Sequence, residues 1–146
     1  GYIDAFMQWI TRSPEHYDTV VTSNMFGDIS TDLGAVLQGG MGMAASGNIG
    51  DEHAFLEPVH GSAPKHAGQN KVNPIASINS IQMMMEYLGR KNNDDDLVAV
   101  GRLIDESVAD HLKAGNMLTY DLGGTASCSA VGESIANRLA AKLKER

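Results

Sequence analysis

Apolar residues along this chain recur at helical spacing in five stretches, separated by breaks rich in glycine and proline. Ile3, Phe6, Met7 and Ile10 fall three and four apart, which predicts an amphipathic helix. Pro14 closes it, because the residue before a proline avoids helical geometry. Val20 and Val21 predict a short strand, broken at Gly27, and Ile29, Leu33, Val36 and Leu37 mark a second helical face. Residues 39–50 hold five glycines, too many for a regular element and suited to a backbone that turns sharply or lies against a ligand. Residues 54–56 predict a brief strand. The following stretch, 57–73, predicts a long loop rich in Gly, Pro, His and Lys, and a loop of that length in a compact domain usually has a function. Pro74 opens a third helix through Ile75, Ile78, Ile81, Met84, Met85 and Leu88, with Gly89 as its expected end. Leu97, Val100, Leu103, Ile104, Val108 and Leu112 predict a fourth, stopping at Gly115. After a turn at residues 121–124, Val131, Ile135, Leu139 and Leu143 predict a fifth.

Composition narrows the class. With 146 residues, 42% hydrophobic and 20% charged, the chain has the make-up of a folded globular protein of about one domain. Eleven basic against 18 acidic residues leave a net charge of −7, which speaks against a basic face for nucleic acid or anionic membranes. The lone cysteine, Cys128, cannot form an internal disulfide or a cysteine-rich zinc site, and it predicts a reducing, cytoplasmic setting. No membrane span or signal peptide is expected. Gly1 in place of Met, and a helical pattern already under way at Tyr2, suggest a piece of something longer.

Three clusters could carry chemistry. Asp28 and Asp32 lie four apart at a predicted helix start, so both carboxylates project from one face, as a hard divalent cation requires. Acidic residues in a first helical turn would equally offset the helix dipole, and spacing alone leaves both readings open. Gly40, Gly42 and Ala45 satisfy a loose GxGxxA dinucleotide pattern, but it follows a predicted helix rather than a strand, which excludes a Rossmann context. The loop His60-Gly61-Ser62-Ala63, with Lys65 and His66 beyond, offers free backbone amides and a cation for phosphate, although a solvated loop would look similar. No nucleophile motif is present, and Cys128 reads as a small packed residue.

Taken together, Asn24-Met25-Phe26-Gly27-Asp28-Ile29-Ser30-Thr31-Asp32 with Gly39-Gly40-Met41-Gly42-Met43 closely resembles the signature of the metal-dependent β-decarboxylating dehydrogenases. That family holds the isocitrate, 3-isopropylmalate, homoisocitrate and tartrate dehydrogenases. Further matches follow in family order: Asn48-Ile49-Gly50-Asp51-Glu52, Glu57-Pro58-Val59-His60-Gly61-Ser62-Ala63-Pro64, Asn73-Pro74 and Tyr120-Asp121-Leu122-Gly123-Gly124. The resemblance implies an α/β isocitrate/isopropylmalate dehydrogenase-like fold, not Rossmann, of which this chain is the C-terminal part of a two-domain subunit. Residues 1–38 would end the small, dimerising domain, and residues 39–146 would form the C-terminal half of the large one. The catalytic Tyr and Lys, the substrate-carboxylate arginines and the helix that reads the substrate would all precede this sequence, so no residue here receives a catalytic role.

The resemblance further implies oxidation of a 2-hydroxy acid by hydride transfer to a nicotinamide, followed by loss of the β-carboxylate as carbon dioxide. Asp28 and Asp32 would hold Mg2+ or Mn2+. Asp4, 24 residues before Asp28, would be lent to the metal site of the other subunit of a homodimer. His60, Gly61, Ser62, Ala63, His66, Val72 and Asn73 would line the nucleotide, with Glu57 at its nicotinamide end. NAD-dependent members usually carry an aspartate where this chain has Lys65, so Lys65, with Tyr120 and Asp121 nearby, implies NADP, with NAD as the alternative. Two departures bear on this. Gly124 stands where an arginine is expected, and Ser13 replaces a cross-subunit arginine, leaving Gln8 and Arg12 as candidate partner-subunit contacts. Isocitrate is the leading substrate and 3-isopropylmalate, homoisocitrate or tartrate the alternative. A non-catalytic dimerising or nucleotide-binding role is disfavoured, because three gathered aspartates without a cation would repel one another.

Overall fold

The computed structural model describes residues 1–145. Helix α1 (Ile3–Arg12) follows the expected face but buries none of its residues. Phe6 meets the Tyr17 ring edge-on, with centroids 5.1 Å apart, across a short 3-10 turn, Pro14–His16. Residues 18–23 lack helix and strand, and Val21 is 95% exposed, so the strand expected at Val20 and Val21 does not form. An extended segment becomes a strand only beside a partner that completes its hydrogen bonds, and among the described residues the one ladder lies elsewhere.

Helix α2 (Asn24–Leu37) starts earlier than the apolar pattern suggests and takes in Gly27, the expected break. Its first turn holds no acidic residue, so Asp28 and Asp32 stand in later turns. The dipole field fades within the first turn, and that reading of the aspartate pair falls away. Gly39 and Gly40, at φ 114° and 103°, end the helix in a conformation L side chains rarely adopt.

The glycine-rich stretch then does something its composition hides. Strand β1 (Ala45–Ile49) pairs antiparallel with β2 (Ala54–Pro58), in register from Ala45 opposite Pro58 to Ile49 opposite Ala54. A Cβ on Gly47 would come within 2.8 Å of the Leu56 side chain and 3.1 Å of Met83, so the glycine lets the hairpin sit close to helix α3 (Ile75–Asn92).

Helix α3 also runs past Gly89, which is a crossing point rather than a cap. A Cβ there would meet Val98 at 2.7 Å and the Asp94 carbonyl at 2.8 Å, and Asn93, at φ 55°, supplies the left-handed end instead. Helix α4 (Asp95–Ala114) is capped by the Asp94 carboxylate, which accepts from the Asp96 and Leu97 amides, and it ends at Gly115 as expected. Helix α5 (Cys128–Lys144) begins after Ser127, whose hydroxyl accepts from the Ala130 amide. Ile75, Val108, Val131 and Ile135 form the core between α3, α4 and α5, with Met43, Ile78, Leu112, Met117 and Ala126 packed around it. No helix among the described residues is long and apolar enough to cross a membrane.

One buried base sits between α4 and α5. His111 is 1% exposed; its Nδ1 pairs with the Ser134 hydroxyl at 3.0 Å, while its Nε2 has no partner. Burial, and then the Arg138 guanidinium, hold its pKa below the ordinary 6.5, and the Met117 backbone nearby only partly offsets them. Above about pH 6.5 the ring is neutral folded and unfolded, and titration costs nothing. Below that, the unfolded chain takes up a proton the folded chain refuses, so stability falls until the folded pKa is passed. Melting curves should show this loss on acidification, and His111→Gln should flatten it. An unaltered slope in the variant would refute the assignment.

Candidate functional site

Two cavities draw on the segments that lead into and out of the hairpin. The first, about 770 Å³, lies between α2 and the strands and is lined by Asn24, Asp28, Thr31 and Asp32 from the helix and by Ser46 and Glu57 from the sheet. The four-residue spacing turns both carboxylates to the same opening. Asp28 is exposed and takes one side-chain hydrogen bond, from the Asn24 amide at 3.1 Å. Oxygen donors from Asp28, Asp32 and Glu57 around polar space suit a hard cation, which keeps several positions for substrate and water. Among the described residues no three His, Cys, Asp or Glu side chains gather closely enough to hold an ion alone. Asp4 lies apart on α1, exposed, its carboxylate accepting from the Ala5 amide at 2.9 Å.

The second cavity, about 570 Å³, is lined by Gly39, Gly40 and Gly42 of the segment leaving α2. One wall is the loop after β2, with His60, Gly61, Ser62 and Ala63; the others bring His66, Val72 and Asn73, and then Tyr120 and Asp121. Two stretches feed both cavities: Gly40 and Gly42 line the second and Ala44 and Ser46 the first, while Glu57 lines the first and His60 the second. They run side by side, with the Val59 amide donating to the Ala44 carbonyl at 3.0 Å.

Asn73 holds the second cavity together. It is 7% exposed; its Nδ2 donates to Asp121 Oδ2 at 3.0 Å and its Oδ1 accepts from the Ile75 amide at 3.0 Å. Asp121 Oδ1 in turn accepts from the Thr119 hydroxyl at 2.5 Å. Gly42 passes under this pair so closely that a Cβ would stand 2.6 Å from Asp121 Oδ2. Ala63 adopts the left-handed region at φ 44°, a strained choice for a residue with a Cβ, and it turns the loop at the cavity rim. His66 presents a buried Nδ1 with no partner, the kind of orphan a bound polar ligand satisfies. Open glycine backbone, an unpaired imidazole nitrogen and apolar Val72 fit a nucleotide.

Nine of the predicted nucleotide residues are therefore brought to one cavity, and Glu57 joins the aspartates in the other. Lys65 is exposed in the middle of a 3-10 turn, Pro64–His66, outside the lining, and Gln8 and Arg12 sit exposed on α1 and line neither cavity. Sequence reasoning missed Asn70. Its side chain bonds the Ser129 hydroxyl at 2.9 Å and the Ser129 amide at 3.0 Å, and its carbonyl takes the Cys128 amide at 2.8 Å, fastening the loop to the start of α5. An asparagine two residues after Gly68 was the available signal, because asparagine tolerates the φ of 52° found here.

Comparison with known proteins bears on the fold and the family. The sequence model of the family described as isocitrate/isopropylmalate dehydrogenase matches residues 1–135. The homoisocitrate dehydrogenase of Methanocaldococcus jannaschii is 44% identical over 142 residues, covering 97% of this chain and 39% of that protein. The 3-isopropylmalate dehydrogenase of Thermobifida fusca is 44% identical over 144 residues, covering 95% of this chain and 37% of that protein. A crystal structure of isocitrate dehydrogenase from Methylococcus capsulatus superimposes with a TM-score of 0.83 at 36% identity, over 94% of this chain and 39% of that one. The chain thus spans about two fifths of the length of the relatives it matches. The mixed helices and strands are a part of that fold, and the chain belongs to the isocitrate/isopropylmalate dehydrogenase family.

Proposed function

We propose that the protein carrying this chain oxidatively decarboxylates a 2-hydroxy acid, most simply isocitrate, with NADP as hydride acceptor and Mg2+ or Mn2+ as metal. The observation that carries this reading is that an acidic cavity and a glycine-lined one share the two segments leading into and out of a single hairpin, so that a cation with its substrate and a nucleotide would meet at the segment from Glu57 to His60. Asp28 and Asp32 would hold the metal from one subunit and Asp4 from the other, and residues 1–38 would belong to the dimerising domain. A divalent cation would supply Lewis acidity to the hydroxyl and carboxylate oxygens of the substrate. The loop from His60 to Asn73 would bind and orient the nucleotide, with Glu57 near its nicotinamide end and Asp121 fixing the floor.

Lys65 supports NADP, because an ammonium attracts a 2′-phosphate that an aspartate would repel. A second reading, 3-isopropylmalate or homoisocitrate with NAD, draws on Gly124 and on the names of the relatives above. Steady-state assays of the full-length enzyme separate the two: isocitrate with NADP should outperform 3-isopropylmalate or homoisocitrate with NAD, and the reverse ranking would overturn the first reading. Lys65→Asp should raise KM for NADP roughly 10- to 100-fold, the worth of a charge-assisted hydrogen bond, and KM for NAD far less. Equal effects on both nucleotides would remove Lys65 from phosphate recognition.

A further inference from the structure

The cation expected four residues after Tyr120 is missing, and the fold shows why no side chain can stand there. A Cβ on Gly124 would lie 1.9 Å from the Leu118 carbonyl oxygen and 2.5 Å from its carbon, both backbone atoms. That carbonyl is already engaged by the Ala126 amide at 2.8 Å, and the Gly124 amide is tied to the Thr119 carbonyl at 2.9 Å. The turn is therefore closed to arginine.

Positive charge reaches Tyr120 from residue 71, which sits between Asn70 and Val72 of the cavity lining without lining it itself. The Lys71 Nζ stands 5.5 Å from the centroid of the Tyr120 ring, within the range in which an ammonium is attracted to an aromatic face. The His66 ring leans on the same tyrosine, with centroids 5.9 Å apart. Lys71 is half-buried, whereas Lys65 is exposed, so Lys71 is the better anchored of the two ammonium groups in this loop. Tyr120 is 50% exposed and lines the nucleotide cavity, and this places a held cation beside a surface open to ligand.

We propose that Lys71, stationed over the Tyr120 ring, is a second specificity-determining cation for a 2′-phosphorylated nucleotide and supplies the charge that position 124 cannot. The assignment rests on the NADP reading above and goes beyond it by naming a residue from a different part of the loop. Lys71 would meet the phosphate with its ammonium, while Tyr120 and His66 hold it at the rim against the pull of solvent.

The test uses the full-length enzyme with NADP and NAD, and with adenosine 2′-monophosphate and adenosine 5′-monophosphate as competing probes. Lys71→Gln should raise KM for NADP about fivefold or more, chiefly in KM rather than kcat, and weaken inhibition by the 2′-monophosphate more than by the 5′-monophosphate. It should also flatten the rise of KM for NADP with salt, since one phosphate-facing charge is gone. Lys71→Arg, which keeps the charge and the ring contact, should restore the NADP-to-NAD ratio to within about twofold. If the unaltered enzyme prefers NAD, the NADP reading fails and takes this assignment with it. If it prefers NADP while Lys71→Gln leaves the nucleotide ratio and probe selectivity as they were, the assignment to Lys71 alone is overturned. A Lys71→Arg loss as large as that of Lys71→Gln likewise overturns it.

Discussion

Replacing Asp28 by asparagine in the full-length protein is expected to lower metal-supported turnover by about 10²-fold or more while leaving the melting temperature within a degree or two. The two halves of that expectation have separate causes. Asp28 is exposed and keeps one side-chain partner, Asn24, whose amide can donate as well to a carboxamide oxygen as to a carboxylate. The helix therefore loses little. The cavity between α2 and the hairpin loses one of its three lining carboxylates, and a neutral amide is a poor ligand for a hard divalent ion. Raising Mg2+ should recover part of the activity, as expected when affinity rather than architecture is damaged. Activity equal to that of the unaltered enzyme at limiting Mg2+ would sink the ligand assignment of Asp28.

Gly124→Arg, the change that would install the arginine, should destabilise the protein by about 3 kcal/mol or more, judged by the urea midpoint. The obstruction begins at the Cβ, since that atom would overlap the Leu118 carbonyl, so Gly124→Ala should cost nearly as much as arginine. Moving Leu118 breaks the bond to Ala126 and disturbs Thr119, which is 1% exposed and hydrogen-bonded to Asp121. The damage would thus travel through Asp121 to Asn73 and into the second cavity. An alanine variant with an unchanged midpoint would show that the turn relaxes and that the position is open after all.

These contacts also show where sequence reading stops. Helices α1, α4 and α5 are legible because their apolar residues recur every third or fourth position and their ends carry Pro14, Gly115 and Ser127. Val20 and Val21 mislead because β-branched composition says nothing about a neighbouring backbone. Gly47 and Gly89 mislead in the other direction. Both look like punctuation, yet each sits inside a regular element where another element presses against it. The aspartate pair was visible as a spacing, but its meaning turned on where α2 begins, and helix boundaries are the least legible feature of a sequence. Most of the residues lining the second cavity could be picked out by resemblance. Its fastening could not, because Asn70 to Ser129 and Lys71 to Tyr120 join residues far apart along the chain.

The Asn73 strut has a further consequence, for how easily such a site can change over time. The residues that hold the cavity, Asn73, Thr119 and Gly42, are enclosed or pressed against backbone and polar neighbours, and altering any of them disturbs packing. Lys65 and Tyr120, which choose among nucleotides in the reading above, stand on the exposed rim. Substitution there touches few contacts, so a lineage could trade one nicotinamide cofactor for another through rim changes that its thermal stability would scarcely register.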